Sequence, residues 1–203
     1  MPIAELDIVD WRRRVFALYA EIRATSDPRA AHMAWQTGRE ALFRLHPQSP
    51  IAADGARSNW IFHCFPYDPR MRRVVDLQEC PDSATVEIPV GDDGTLRLRP
   101  FSRTVGLADI WGSELTVFGI EGHGGGIFLP FTDATSGQET YGGGRYLLDT
   151  IKGADLGASD GGVVLDFNFS YQPSCSYSPR WVCPLAPPEN HLAVGVCAGE
   201  RVA

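Results

Sequence analysis

The spacing of apolar residues changes once along this chain, near Trp60, and that change constrains the fold more than any single motif does. Before it, Trp11, Val15, Leu18, Tyr19 and Ile22 recur at spacings of three and four. They form one stripe of an amphipathic helix, with Arg12, Arg13 and Glu21 facing elsewhere. Asp27-Pro28 then reads as an N-cap followed by proline in the first turn. It opens a second helix with Ala31, Ala34, Trp35, Leu42 and Leu45 inward, which His46-Pro47 ends. After Trp60 the apolar runs are short, alternate with period two, and are bounded by Gly, Pro and Asp. The clearest case sets Ala84, Val86, Ile88 and Val90 against Thr85, Glu87 and Pro89. A Gly91-Asp92-Asp93-Gly94 turn then leads into Leu96 and Leu98, which alternate with Arg97 and Arg99. Further strands are expected at 60–65, 73–78, 103–110, 114–120, 126–131, 145–149, 163–169 and 192–197.

So many short strands need many turns, and the 21 Gly and 15 Pro of the 203 residues supply them. The expected fold is mainly β, an antiparallel β-sandwich or partly open β-barrel with two N-terminal α-helices. No internal repeat or low-complexity linker divides the sequence. One domain is therefore expected over 1–203, with a helical segment at 1–50 packed on a β-rich body at 58–200. A chain of this length buries roughly 70% of its unfolded surface, so neither disulfides nor metals are required for folding.

A formal net charge of -7 repels a phosphate backbone, which argues against nucleic acid as a partner. The basic run Arg12-Arg13-Arg14 is the solvated side of a helix. The N-terminus lacks a basic-then-apolar run, and nowhere do about eighteen apolar residues follow one another, so a cytoplasmic protein without a membrane partner is expected. The odd set Cys64, Cys80, Cys175, Cys183 and Cys197 does not resemble a disulfide framework. In reducing cytosol these residues stay thiols, and a Cys175–Cys183 bridge would need an oxidising compartment. Cys175, Cys183 and His191 lie in one loop-rich tract, but neither cysteine has the C-x-x-C neighbour that structural zinc favours. No metal and no cofactor is expected.

Two fragments have the outline of a serine hydrolase, His123-Gly124-Gly125-Gly126 and Gly157-Ala158-Ser159-Asp160-Gly161. A nucleophile elbow must join a strand to a helix, however, whereas Ser159 falls in a glycine-rich stretch between two expected strands. Gly142-Gly143-Gly144 precedes no helix and reads as a tight turn into a strand. The densest polar set comprises Asp133, Thr135, Glu139, Thr140, Tyr141, Arg145 and Tyr146, followed by Asp166, Asn168, Tyr171 and Tyr177. On a strand, Asp166 and Asn168 share one face while Leu165, Phe167 and Phe169 take the other. If the polar face is internal, Arg145 is the natural counter-charge for Asp166 or Glu139.

The segments Phe131-Thr132-Asp133-Ala134-Thr135-Ser136-Gly137, Glu139-Thr140-Tyr141-Gly142-Gly143-Gly144-Arg145-Tyr146-Leu147 and Leu165-Asp166-Phe167-Asn168-Phe169-Ser170-Tyr171-Gln172-Pro173 are joined by Cys183-Pro184-Leu185-Ala186-Pro187-Pro188-Glu189-Asn190. Together with Phe65-Pro66-Tyr67-Asp68-Pro69 and the closing Ala198-Gly199-Glu200, they resemble the bacterial domain-of-unknown-function family 1684 over nearly the whole chain. The resemblance implies that the segments from Glu139 to Arg145 and from Asp166 to Tyr177 are family hallmarks. It brings no activity and no cofactor with it.

Two functional readings follow, and the sequence leaves open whether the protein is an enzyme. In the first, a small-molecule pocket lies at one end of the β structure. Arg145 binds an anionic or carbonyl oxygen, Asp166 or Glu139 acts as acid or base, and Asn168, Tyr141, Tyr146, Tyr171 and Tyr177 orient the ligand. In the second, the chain is a non-catalytic structural or interaction module, and the same groups only lock loops over the barrel end. A lock predicts side chains consumed by mutual and backbone bonds, whereas a pocket predicts that Arg145 reaches a cavity.

Overall fold

The computed structural model describes residues 4–53, 55–80, 84–91 and 94–202. Both expected helices are present, α1 (Ala4–Ala24) and α2 (Pro28–Leu45). Asp27 has extended backbone and its side chain accepts the Arg29 amide, so α2 starts at the Asp-Pro pair. His46 closes it by donating its amide to Leu42. A single turn, α3 (Gly55–Ser58), precedes the β structure.

The strands are β1 (Arg72–Glu79), β2 (Val86–Pro89), β3 (Thr95–Val105), β4 (Thr116–Glu121), β5 (Gly126–Asp133), β6 (Arg145–Asp149), β7 (Ala158–Ser159), β8 (Gly162–Asp166) and β9 (His191–Leu192). They form one curled sheet of order β6-β5-β4-β3-β1-β8-β7. β2 pairs with β3 off this path, and β9 lies parallel against β5. The long strand β3 shapes the curl. One edge serves β2 at residues 95–98 and β1 at residues 102–105, while the other carries β4 at residues 97–103. The register slips between Pro100 and Ser102. Such a bulge bends the strand and accommodates a residue that has no amide proton to give.

The sheet is mainly antiparallel and closes into a partial barrel. Tyr146 at the start of β6 exchanges both backbone hydrogen bonds with Tyr171, which lies just beyond β8, at 2.8 and 3.1 Å. Elements near opposite ends of the strand order thus meet. Alternation splits the apolar residues between two cores. Val117, Leu129, Phe131, Leu147, Leu165 and Phe167 belong to one, together with Leu107 and Trp111. Phe118, Phe128, Tyr146, Phe169 and Tyr171 belong to the other, under Leu18, Tyr19, Ile22 and Trp35 of the helices. Burial on both faces explains why β6 is apolar or internally paired along its whole length.

Several expectations are corrected. Leu45 is 77% exposed rather than inward, and Phe43 takes its place in the core. Residues 60–65 form no strand, and among the described residues their ladder contact is a bridge from Cys64 to Glu200. The strand expected at 103–110 ends at Val105, after which α4 (Ala108–Trp111) buries Trp111 and stops at Gly112 in left-handed backbone. β8 ends at Asp166, and residues Phe167–Phe169 form a 3-10 turn. Of 192–197 only Leu192 joins a strand. The turn residues Asp92 and Asp93 lie outside the described residues, while the flanking strands pair in the expected hairpin, with Val86 opposite Leu98.

Trp35 is fully buried against Phe62 and Phe169 at ring separations of 5.2 and 5.5 Å. Trp35→Ala is expected to lower unfolding free energy in urea by about 3–5 kcal/mol, the range for removing a fully packed aromatic side chain. A loss below about 1 kcal/mol would mean that the helices do not pack on the sheet through this residue.

Candidate functional site

Gly144 has φ +90°, and a Cβ there would stand 2.5 Å from the Phe131 carbonyl oxygen, so glycine is required at the entry to β6. The tight entry aims the next side chain, Arg145, into the interior. There both it and Asp133 at the end of β5 have no exposed side-chain surface. Arg145 Nη2 donates to Asp133 Oδ2 and to the Val196 carbonyl, each at 2.8 Å. Nη1 donates to the carbonyls of Ala198 and Glu200. The other Asp133 oxygen accepts the Thr135 amide and hydroxyl at 2.8 and 2.6 Å and the Val196 amide at 3.2 Å. Arg145 therefore pairs with Asp133, not with Asp166 or Glu139 as the sequence suggested. Glu139 is exposed, and it is its main-chain carbonyl that accepts the Val202 amide.

A second arginine grips the same C-terminal segment from the helical side. Arg39 of α2 donates to Glu200 Oε2 at 2.8 Å, the Gln172 amide donates to that oxygen at 2.9 Å, and the Glu200 amide donates to the Ser170 carbonyl. Burial pushes the Glu200 carboxyl up, against the pull of Arg39. The Arg39 guanidinium also lies over Phe43 and Tyr171, 4.8 and 4.7 Å from their ring centres. Gly199 has φ +74°, and a Cβ would approach the Ser170 carbonyl oxygen to 2.5 Å, so the segment fits only with glycine there. Arg39 and Glu200 are the members that sequence reading missed, whereas Asp133 stood in the polar set but not as the partner of Arg145. A signal existed for Arg39, an arginine between Trp35 and Phe43 on the apolar stripe of α2.

The tyrosines divide among separate tasks. Tyr146 Oη donates to the Pro184 carbonyl at 2.6 Å and Tyr171 Oη donates to Asp149 at 3.4 Å, with both phenols pushed well up by burial. Tyr141 is half-buried with its hydroxyl 3.8 Å from Cys175 Sγ, while Tyr177 packs edge-on against Phe43 and Trp60. Asn168 is consumed as well. It gives Nδ2 to the Asp68 carbonyl and to Asp166 Oδ1, both at 2.8 Å, and accepts the Asp68 amide at 2.9 Å.

Asp166 reaches an open space. It terminates β8 opposite Arg72 of β1 and lines a groove of about 280 Å³ together with Arg23, Thr25, Ser26, Arg72 and Phe169. Burial raises its pKa, opposed by hydrogen bonds from Asn168 and by the charge of Arg72. Among the described residues no three His, Cys, Asp or Glu side chains converge as metal ligands, and His191 Nδ1 lies 3.0 Å from Thr132 Oγ1.

The family model "Protein of unknown function (DUF1684)" matches residues 61–201. Among solved structures, the chain is similar to the solution NMR structure of the uncharacterized protein from gene locus rrnAC0354 of Haloarcula marismortui. Identity is 30% and the TM-score 0.56, over 84% of this chain and 91% of that one. No curated protein matches.

Removing the Arg145 charge leaves a buried carboxylate uncompensated, so Arg145→Met is expected to destabilise by about 3–5 kcal/mol in urea. The double variant Arg145→Met with Asp133→Asn is expected to recover a measurable part of that loss. Strictly additive losses would show that the two groups are not coupled.

Proposed function

Taking as premise that the chain belongs to the DUF1684 family of proteins of unknown function, we propose that it binds a small anionic or carbonyl-containing molecule in the groove at Asp166. In this reading the Arg145 centre is a structural lock rather than part of the site. The observation that carries it is a buried carboxyl of raised pKa at a groove edged by two exposed arginines, Arg23 and Arg72. A protonated Asp166 donates a hydrogen bond to a ligand oxygen, and Arg72 supplies the balancing charge. The same carboxyl is the group the groove offers for acid or base chemistry, since its elevated pKa brings proton exchange closer to neutral pH.

The lock assignment is supported by the two terminal nitrogens of Arg145, which donate to Asp133 and three backbone carbonyls, while its buried Nε has no protein partner among the described residues. Tyr146, Tyr171 and Asn168 are likewise engaged with the protein's own groups, and Asn168 holds Asp166 in place at the groove. Glu139 is exposed and does not line this groove. No helix among the described residues is long and apolar enough to cross a membrane. Five free cysteines favour a cytoplasmic setting.

Titration of isotope-labelled protein with acetate, succinate and inorganic phosphate tests the reading. Saturable amide shifts are expected in residues 162–169, and Arg72→Ala is expected to weaken binding about tenfold, equivalent to ~1.4 kcal/mol. Affinity for the anion should fall as pH rises, because Asp166 then loses the proton it donates and repels the ligand. Shifts that never saturate, or that survive unchanged in Arg72→Ala combined with Asp166→Asn, would refute the groove as a binding site.

The raised pKa also sets a sign for stability. Between its unfolded and folded pKa, Asp166 holds more protons in the native state, so its contribution is full at acidic pH and is lost as pH rises through the folded value. The stability difference between Asp166→Asn and wild type should therefore grow in the variant's favour from acidic pH toward neutral. A pH-independent difference would show that Asp166 titrates normally.

A further inference from the structure

We propose that Cys175 and Cys183 form a reversible dithiol–disulfide couple that pins the segment around them against the edge of β6. The Cys175 backbone amide donates to Cys183 Sγ at 3.4 Å, so the second sulfur already rests against the main chain that carries the first. A cysteine's own sulfur is one rotatable bond from that main chain. A change of rotamer is therefore the motion needed to bring the sulfurs into bonding range. Both residues are half-buried, which leaves a path for a small oxidant. Cys64, by contrast, takes its contact from Gln36 Nε2 at 2.6 Å.

The surrounding contacts show what such a bond would hold. Tyr146 Oη donates to Pro184, the Ala186 amide donates to Gly143, and Leu185 lies where a Cβ on Gly143 would collide. On the other side Arg180 Nη2 donates to the Ser49 carbonyl at 2.7 Å, and Tyr177 meets Phe43 and Trp60 edge-on. The segment therefore bridges β6 to the helical layer. Burial, together with the neighbouring Cys183, pushes the Cys175 thiol up to about 11, which keeps Cys175 protonated and slow toward diffusible oxidants.

The oxidant is a low-molecular-weight disulfide. One cysteine thiolate attacks it, forming a mixed disulfide and releasing one thiolate. The second cysteine thiolate then attacks the protein sulfur of that mixed disulfide, the Cys175–Cys183 bond forms, and a second small thiolate leaves. The two protons given up by the cysteines end on the two released thiols, so two protein thiols are oxidised and one small disulfide is reduced. None of the groove residues at Asp166 takes part, and the test needs no ligand there.

The folded protein is equilibrated in reduced and oxidised glutathione at a series of ratios, quenched in acid, alkylated under denaturing conditions and digested with trypsin. Arg180 lies between the two cysteines, so cleavage after it leaves two peptides joined only if the bridge has formed. The expected result is a single two-electron transition yielding peptides 153–180 and 181–201 linked, 2 Da lighter than the sum of those two peptides with Cys197 alone alkylated, with fragmentation placing the alkyl group on Cys197, and with Cys64 and Cys80 still alkylated. The oxidised protein should melt roughly 5 °C above the reduced one, in line with closing a short loop. Cys175→Ser should abolish both effects while keeping the reduced protein's melting temperature. Alkylation of Cys175 and Cys183 at every ratio, arrest at a glutathione adduct, or bridging to another cysteine would overturn the couple.

Discussion

The barrel depends on a closure that no strand pairing completes by itself. Tyr146 and Tyr171 meet in a single two-bond bridge, and the residues after it would be free to peel away if nothing held them. What holds them is the C-terminal segment 196–200. It runs across the closure with its carbonyls on Arg145 and its terminal carboxylate residue on Arg39. Each arginine comes from a different layer, one from the sheet and one from α2, so the segment couples the two cores. A guanidinium suits this task because it offers several donors in a fixed plane and can satisfy a carboxylate and backbone carbonyls together.

Buried charges contribute little net stability when desolvation is counted, and the Arg145–Asp133 pair should be understood as specifying geometry. Asp133 organises the turn at Thr135 and receives the Val196 amide, so the pair fixes the loop after β5 and the C-terminal segment in one register. The glycines at 144 and 199 belong to the same device. Each removes a Cβ that would strike a carbonyl oxygen and hold the chain away from its partner. The Asp166 groove is lined by the end of α1, the start of α2, β1 and β8, and Asp166 is held there by Asn168, which ties the turn after β8 to Asp68.

Local pattern made much of this architecture legible, and it failed where distant chain segments decide the outcome. The Asp27-Pro28 start of α2, the strand at 145–149 and the pairing of Val86 with Leu98 follow from spacing and cap chemistry within a few residues. Residues 60–65 alternate like a strand, yet their backbone partners are the C-terminal residues, which occupy that edge for only a bridge. The turn at Phe167–Phe169 retains the apolar alternation of a strand, but Asp166 caps it through the Asn168 amide. For the polar motif, sequence reading found the members but not the pairing. Asp133 lies twelve residues from Arg145, and its selection over Glu139 reflects the bend between β5 and β6 rather than any local preference. Glu200 and Arg39, 161 residues apart, had no local signal linking them.

Backbone hydrogen exchange tests the central claim most directly, because it reads the closure and the C-terminal segment amide by amide. If the two arginines lock that segment across the barrel, the amides of Tyr146, Tyr171, Gln172, Val196 and Glu200 will exchange only through global unfolding, alongside those of β4 and β5. Exchange of Val196 and Glu200 at the rate of exposed loops, while the strand amides stay protected, would contradict it.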